Sequence, residues 1–185
     1  MEQTKKNRIK NKVLNLLSEA NIHYLPIDLD QLMHYLRIRP VSFSAARQKG
    51  LAIPQGIDGF TVIRYRQQFA QYLLVYKDDT SFERLRWTLA HEIGHIVLGH
   101  LETQQADEDK LEEEANYFAR ELLMPLVVLA RLDARAQDDI SRVCGVSRAA
   151  AGIRVRDFER YDWYRLAHED TAEDRHFLEL FKPML

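Results

Sequence analysis

The chain has a single cysteine, Cys144, so no intramolecular disulfide can brace it, and a packed thiol is the expected role for that residue. No apolar run approaches the roughly 20 residues that a membrane-spanning helix requires. The amino-terminal stretch M-E-Q-T-K-K-N-R-I-K-N-K is basic but contains no apolar segment of the kind a secretory leader carries. These absences point to a cytoplasmic protein with no membrane partner. Charge of neither sign dominates: 26 Lys and Arg against 28 Asp and Glu leave a net charge of −2, which gives no global reason to bind nucleic acid. No internal repeat or low-complexity tract is evident, which excludes a repeat array. What remains is 185 residues with 46% hydrophobic content, enough for one core and short for two full domains.

Within that chain, residues 87 to 100 read W-T-L-A-H-E-I-G-H-I-V-L-G-H. His91 and His95 are four apart, which places them about 40° apart around a helix, so both imidazoles can reach one metal ion. Glu92 sits beside them, directed at the metal's open position. Neutral imidazoles bind Zn²⁺ without cancelling its charge, and that charge lowers the pKa of a bound water from about 15.7 toward roughly 7. Glu92 is then a base beside an acidified water, able to take its proton and pass it to a leaving amine. The flanks fit a buried site: Leu89, Ala90, Ile93, Ile96, Val97 and Leu98 are apolar, and Gly94 in mid-helix suggests a close approach to the backbone.

A catalytic zinc needs a third protein ligand. A histidine ten residues after the first, with a glycine seven after it, is one solution, but Leu101 and Leu98 occupy those positions. On a continuing helix His100 would lie about 180° from His91, and it follows Gly99, an expected helix end, so it is expected at the surface or behind the ligands. A carboxylate on the next helix is the better candidate. Residues 108 to 124 place Leu111, Ala115, Phe118, Ala119, Leu122 and Leu123 at helical spacing, and Glu112 falls on the edge of that stripe. Glu113 and Glu114, about 100° and 200° further round, are expected to face solvent. Glu112 is therefore the expected third ligand, with Glu108 second, and Asn116 is placed one turn later to hydrogen-bond a neighbouring ligand.

The stretch R-W-T-L-A-H-E-I-G-H-I-V-L-G-H followed by E-E-E-A-N-Y-F-A-R-E-L-L-M-P resembles the ImmA/IrrE family of metallopeptidases. The resemblance implies zinc held by His91, His95 and the glutamate that begins E-x-x-A-N, here Glu112, with Glu92 as catalytic base. It extends more weakly to P-I-D-L-D-Q-L at 26 to 32 and to G-V-S-R-A-A-A-G-I-R-V at 145 to 155, and so covers most of the chain up to about residue 160. It also implies a narrow substrate: a helix-turn-helix transcriptional repressor of a mobile element or stress regulon, cut to relieve repression.

The remaining signals set the organisation. A first helix is expected over residues 6 to 20, with Ile9, Val13, Leu14, Leu16 and Leu17 inward. A second opens with the pair Asp28 and Gln31, with Ile27 and Leu32 stapling its entry. Pro40 to Phe43 reads as a short edge strand, and residues 59–65 and 71–77 read as a hairpin. Thr80 and Glu83 are expected to cap the His91 helix. Tyr65 and Tyr76 are candidates to stabilise a developing oxyanion, although aromatic packing is the default for both.

Residues 137 to 160 read as a helix, a glycine turn and a Ser-capped helix in helix-turn-helix order, with Arg148, Arg154, Arg156 and Arg160 able to contact phosphate. That supports an alternative, a DNA-binding regulator or a non-catalytic metal-binding partner protein. Asp138, Asp139, Asp157 and Glu159 interrupt the positive run and favour an ordinary helical pair packed on the core. The tail carries Phe177, Leu178, Leu180 and Phe181 as a docking face, with His168 and His176 at the surface. The expected fold is α+β and zincin-like: a core over 1–130 with a small antiparallel sheet packed on helices, a helical segment over 131–165, and a tail over 166–185. The expected cofactor is one Zn²⁺ per chain, and the expected partner is a protein substrate.

Overall fold

The computed structural model describes residues 1–66, 69–103, 107–160 and 171–185; the Arg160 side chain and His168 lie outside the described residues. The chain opens with helix α1 (Gln3–Glu19), which buries Ile9, Val13, Leu14, Leu16 and Leu17 and begins earlier than the apolar periodicity suggests. Helix α2 (Leu29–Tyr35) starts where Asp28 accepts a hydrogen bond from the Gln31 backbone N–H at 2.9 Å, and Ile27 and Leu32 are both fully buried at its entry.

Strand β1 (Ile38–Ser42), the short helix α3 (Phe43–Gln48), and the hairpin β2 (Gly59–Arg66) and β3 (Phe69–Tyr76) follow. The sheet order is β1-β3-β2. The hairpin pairs antiparallel as expected, with Thr61 opposite Leu74, whereas β1 pairs with β3 in parallel, so the sheet is mixed and not wholly antiparallel. The cause is connectivity. The chain from β1 crosses through α3 and a loop to the far side of the sheet, descends as β2 and returns as β3 in the direction of β1. Pro40 is tolerated because β1 is an edge strand.

Alternation along the strands divides the core in two. Leu74 faces the main core, while Leu73 and Val75 face the other way and join Phe43 and Ala46 in a small cluster under α3. Against the main face lies helix α4 (Phe82–Leu98). Its N-cap is Ser81, whose hydroxyl accepts from the Arg84 backbone N–H at 3.2 Å, one residue later than the Thr80 and Glu83 pairing expected from sequence. It ends at Gly99, which takes the left-handed conformation with φ 80° that frees the chain to reverse into a 3-10 turn over His100–Glu102.

Helix α5 (Glu108–Leu123) packs against α4. Ile93, Leu74, Phe118 and Leu122 are fully buried in this region. Each such side chain contributes about 1.5–3 kcal/mol of hydrophobic stabilisation, so apolar burial supports the polar groups that the two helices carry.

Helix α6 (Leu126–Arg131) is followed by the predicted pair, α7 (Gln137–Cys144) and α8 (Arg148–Arg160), joined through Gly145 at φ 62°. Ser147 caps α8 by accepting from the Ala150 N–H. Ile140, Cys144, Val146, Ala151 and Phe158 enter the main core. Arg154 does not face outward as a phosphate contact: it is 2% exposed, and its guanidinium pairs with Glu121 at 2.8 Å and Asp157 at 3.0 Å and donates to the carbonyls of Arg120 and Met124. Arg148 pairs with Asp138 at 2.7 Å, while Arg156 is exposed. Burial pushes the Cys144 thiol up to about 12, consistent with an inert packed thiol. Helix α9 (Ala172–Leu180) opens with a reciprocal cap between Thr171 and Asp174 and docks Phe177 and Phe181 in the main core, with His176 exposed. No described helix is long and apolar enough to cross a membrane.

Candidate metal centre

Gly94 sets the spacing of the two helices that carry the cluster. A Cβ placed there would lie 3.1 Å from the Phe118 ring and 3.3 Å from the Ala115 carbonyl, so the glycine lets α5 lie directly against α4. That approach brings Glu112, one turn before Ala115, opposite the exposed face of the motif. Glu112 Oε2 lies 3.2 Å from His91 Nε2, and its Oε1 lies 3.2 Å from His95 Nε2. The two Nε2 atoms are 3.0 Å apart. Among the described residues, His91, His95 and Glu112 form a group of metal-donor type whose ligand atoms all lie within 4.8 Å of one another.

The outer ring nitrogens decide what this group can hold. His91 Nδ1 lies 3.2 Å from Asn116 Oδ1, an acceptor, a contact that favours the tautomer with the proton on Nδ1 and Nε2 free to bind a cation. His95 Nδ1 faces His100 Nδ1 at 3.2 Å. Burial, reinforced by the neighbouring His91, pushes the His95 imidazole down to about 4, which keeps it neutral near neutral pH. Two imidazole nitrogens and a carboxylate thus converge on one point, and lone-pair donors brought this close are stabilised by sharing a cation. The separations of 3.0–3.2 Å are close to the roughly 3.3 Å edge of a tetrahedron with bonds of about 2.0–2.1 Å, the geometry of zinc with nitrogen and oxygen donors. The residues present fit a zinc ion.

Glu92 lies on the inner side of α4 and is 8% exposed. Its Oε2 accepts a hydrogen bond from the Thr61 hydroxyl at 2.8 Å. Burial raises its pKa above the ordinary carboxylate value, opposed by the Thr61 hydrogen bond and by His91. Room for this contact comes from Gly59: a Cβ there would lie 2.6 Å from the Thr88 methyl and 3.5 Å from Glu92 Cγ, so β2 passes close over the helix. Sequence reasoning missed Thr61. The period of two along β2, which puts Gly59 and Thr61 on one face, was the available signal.

The placement of the glutamates differs from the helical-wheel expectation. Glu112 does not face the core; its side chain is 56% exposed and reaches the histidines from the open side. Glu114, expected at the solvent, is buried, ion-paired with Lys5 and lying 3.5 Å from His100 Nε2. The wheel assumed one buried face, whereas α5 has two. Glu114, Tyr117 and Glu121 form a second buried stripe, with α1 supplying Lys5 to Glu114 and α8 supplying Arg154 to Glu121. Glu108 is exposed in the first turn of α5 and is not part of the donor group.

Tyr65 is 72% exposed toward the tip of the hairpin, four residues beyond Thr61 and so about 13 Å along the strand, and is not brought to the cluster. Tyr76 is half-buried against the main core at the other end of the hairpin, opposite Gly59. A family model described as the IrrE N-terminal-like domain, Peptidase_M78, matches residues 54–156, a span that contains β2, β3, α4 and α5. No curated protein matches the chain.

Proposed function

The chain belongs to the IrrE N-terminal-like family of peptidases, and from that premise we propose that it is a zinc-dependent endopeptidase that cuts a specific protein substrate, a helix-turn-helix transcriptional repressor of a mobile element or stress regulon. One observation carries the reading: the inward-facing lone pairs of His91 and His95 and the Glu112 carboxylate converge within 4.8 Å, with the buried Glu92 adjacent in sequence to His91. His91, His95 and Glu112 would hold the zinc, which would supply Lewis acidity toward a water and the scissile carbonyl.

The rest of the chemistry belongs to the chain. Glu92 takes a proton from the attacking water as the carbon–oxygen bond forms, then gives it to the amine nitrogen as the carbon–nitrogen bond breaks. Thr61 holds the Glu92 carboxylate by its 2.8 Å hydrogen bond and so fixes which oxygen is free to work. Asn116 orients the His91 ring. Tyr76 is kept as the oxyanion candidate and Tyr65 is set aside. An extended substrate segment adds along the outer edge of β2, which has no partner strand among the described residues and carries Thr61 to the base. The repressor substrate is what the resemblance to the family implies.

The test is a cleavage assay on any repressor encoded beside the gene, with zinc content measured in parallel. Glu92→Gln is expected to keep its zinc and lose about 10²–10⁴-fold in turnover, the usual contribution of a general base. Wild type that holds zinc but cuts no neighbouring repressor contradicts the substrate assignment. Wild-type turnover in Glu92→Gln contradicts the catalytic one.

A further inference from the structure

His95 is held from two sides. Its Nε2 faces His91 and Glu112, and its Nδ1 faces His100 Nδ1 at 3.2 Å. An imidazole that offers Nε2 to a cation carries its ring proton on Nδ1, so His95 donates and His100 Nδ1 must accept. That requirement fixes the state of His100: neutral, with its own proton on Nε2. His100 Nε2 is shielded from solvent and lies 3.5 Å from Glu114 Oε2, close enough for attraction and slightly long for a hydrogen bond. Glu114 is ion-paired with Lys5 through Oε1, and Arg8 stands 3.7 Å from the same Oε2 that faces His100.

The chain conformation that builds this row is specific. On a continuing helix the His100 ring would point away from the cluster. Gly99 at φ 80° turns the chain, and the following 3-10 turn brings the ring back beneath α4, where its side chain is 5% exposed.

We propose that His100 is a positioning residue that fixes the tautomer and orientation of His95, and that Glu114, clamped by Lys5 of α1, orients His100 in turn. The arrangement parallels the other ligand, where Asn116 accepts from His91 Nδ1 at the same 3.2 Å. It differs in reach. Asn116 is on α5 itself, whereas the His100 row passes through Glu114 to α1, so the amino-terminal helix, outside residues 54–156 matched by the family model, supports the metal-holding side chains.

The inference rests on the assignment of His91, His95 and Glu112 as ligands, and the experiment separates the two. Zinc affinity is measured by chelator competition, and the visible spectrum of the cobalt(II)-loaded protein reports ligand geometry. His100→Leu keeps bulk but offers no acceptor; it is expected to weaken zinc binding by about 10–100-fold and to shift the cobalt bands. His100→Asn returns a carbonyl oxygen near the position of Nδ1 and is expected to restore both. Glu114→Leu, which leaves the His95–His100 contact in place, is expected to weaken zinc binding less, in the same direction.

Thermal unfolding of the metal-free proteins identifies any variant that fails to fold, in which case Glu114→Leu carries the test. The proposal is overturned if His100→Leu binds zinc as wild type does, if His100→Asn falls as far as the leucine variant, or if a folded Glu114→Leu is indistinguishable from wild type. His91→Ala is the control for the underlying assignment. If it binds zinc normally the site itself is wrong; if it loses zinc while His100→Leu keeps it, only the positioning role fails.

Discussion

Helix α5 carries ionisable groups into two clusters, one buried and one open to solvent, and the contrast between them shows what each is for. Near its carboxyl end, Glu121 meets Arg154 at 2.8 Å, Asp157 adds a second carboxylate at 3.0 Å, and backbone carbonyls of Arg120 and Met124 take further guanidinium hydrogens. Cation and anions are present together. Near its amino end, Glu112 meets His91 and His95 at 3.2 Å each, and the inward atoms are all electron donors. The first arrangement is complete and locks α8 to α5. The second is a set of metal-type donors, and a cation shared among them would balance it. Both groups sit on one helix and both contain a glutamate, so residue type alone does not separate them; the partners do, a guanidinium for Glu121 and two imidazoles for Glu112.

Arg154→Met breaks the completed knot and has the largest expected effect on stability. It leaves Glu121, whose side chain is 4% exposed, without its cation. Stranding one member of a buried pair costs about 3–5 kcal/mol. Urea unfolding is expected to show that loss, and adding Glu121→Leu is expected to return much of it, because an apolar pair removes the uncompensated charge. Zinc affinity of the folded fraction is expected to stay at the wild-type value, since the knot lies at the other end of α5. A fall in zinc affinity would couple the two places and weaken the contrast.

A smaller effect sharpens the other side. Thr61→Val keeps the shape of the side chain and removes only the hydroxyl that holds Glu92. A hydrogen bond to a charged group is worth about 1.5–3 kcal/mol, so kcat/KM is expected to drop by roughly 10- to 150-fold, with zinc content unchanged. Loss of zinc in Thr61→Val would mean that β2 shapes the ligands and not the base.

How far these features were legible beforehand follows from the range of each interaction. The motif His91-Glu92-x-x-His95 is local and set by helical phase, so its two histidines and buried glutamate were readable directly. The partner Glu112 was readable because α5 shows one strong apolar stripe, though its exposure was misjudged. Glu114 was misassigned because its burial depends on Lys5, more than 100 residues earlier, and on a chain reversal at Gly99. Arg154 looked like a phosphate contact because the sequence shows a run of arginines and hides Glu121 behind it. The hairpin was visible in its alternation, while the parallel pairing of β1 is a consequence of crossover connectivity and leaves no local pattern.

The central claim is that the three-donor group is a metal site completed by Glu112. Titration of zinc into metal-free wild type and Glu112→Gln, side by side, tests it most directly. Wild type is expected to bind one zinc per chain, and the variant is expected to bind more than about 100-fold more weakly, beyond the range usual for groups that only support a ligand. A Glu112→Gln protein that binds one zinc as tightly as wild type would contradict the account.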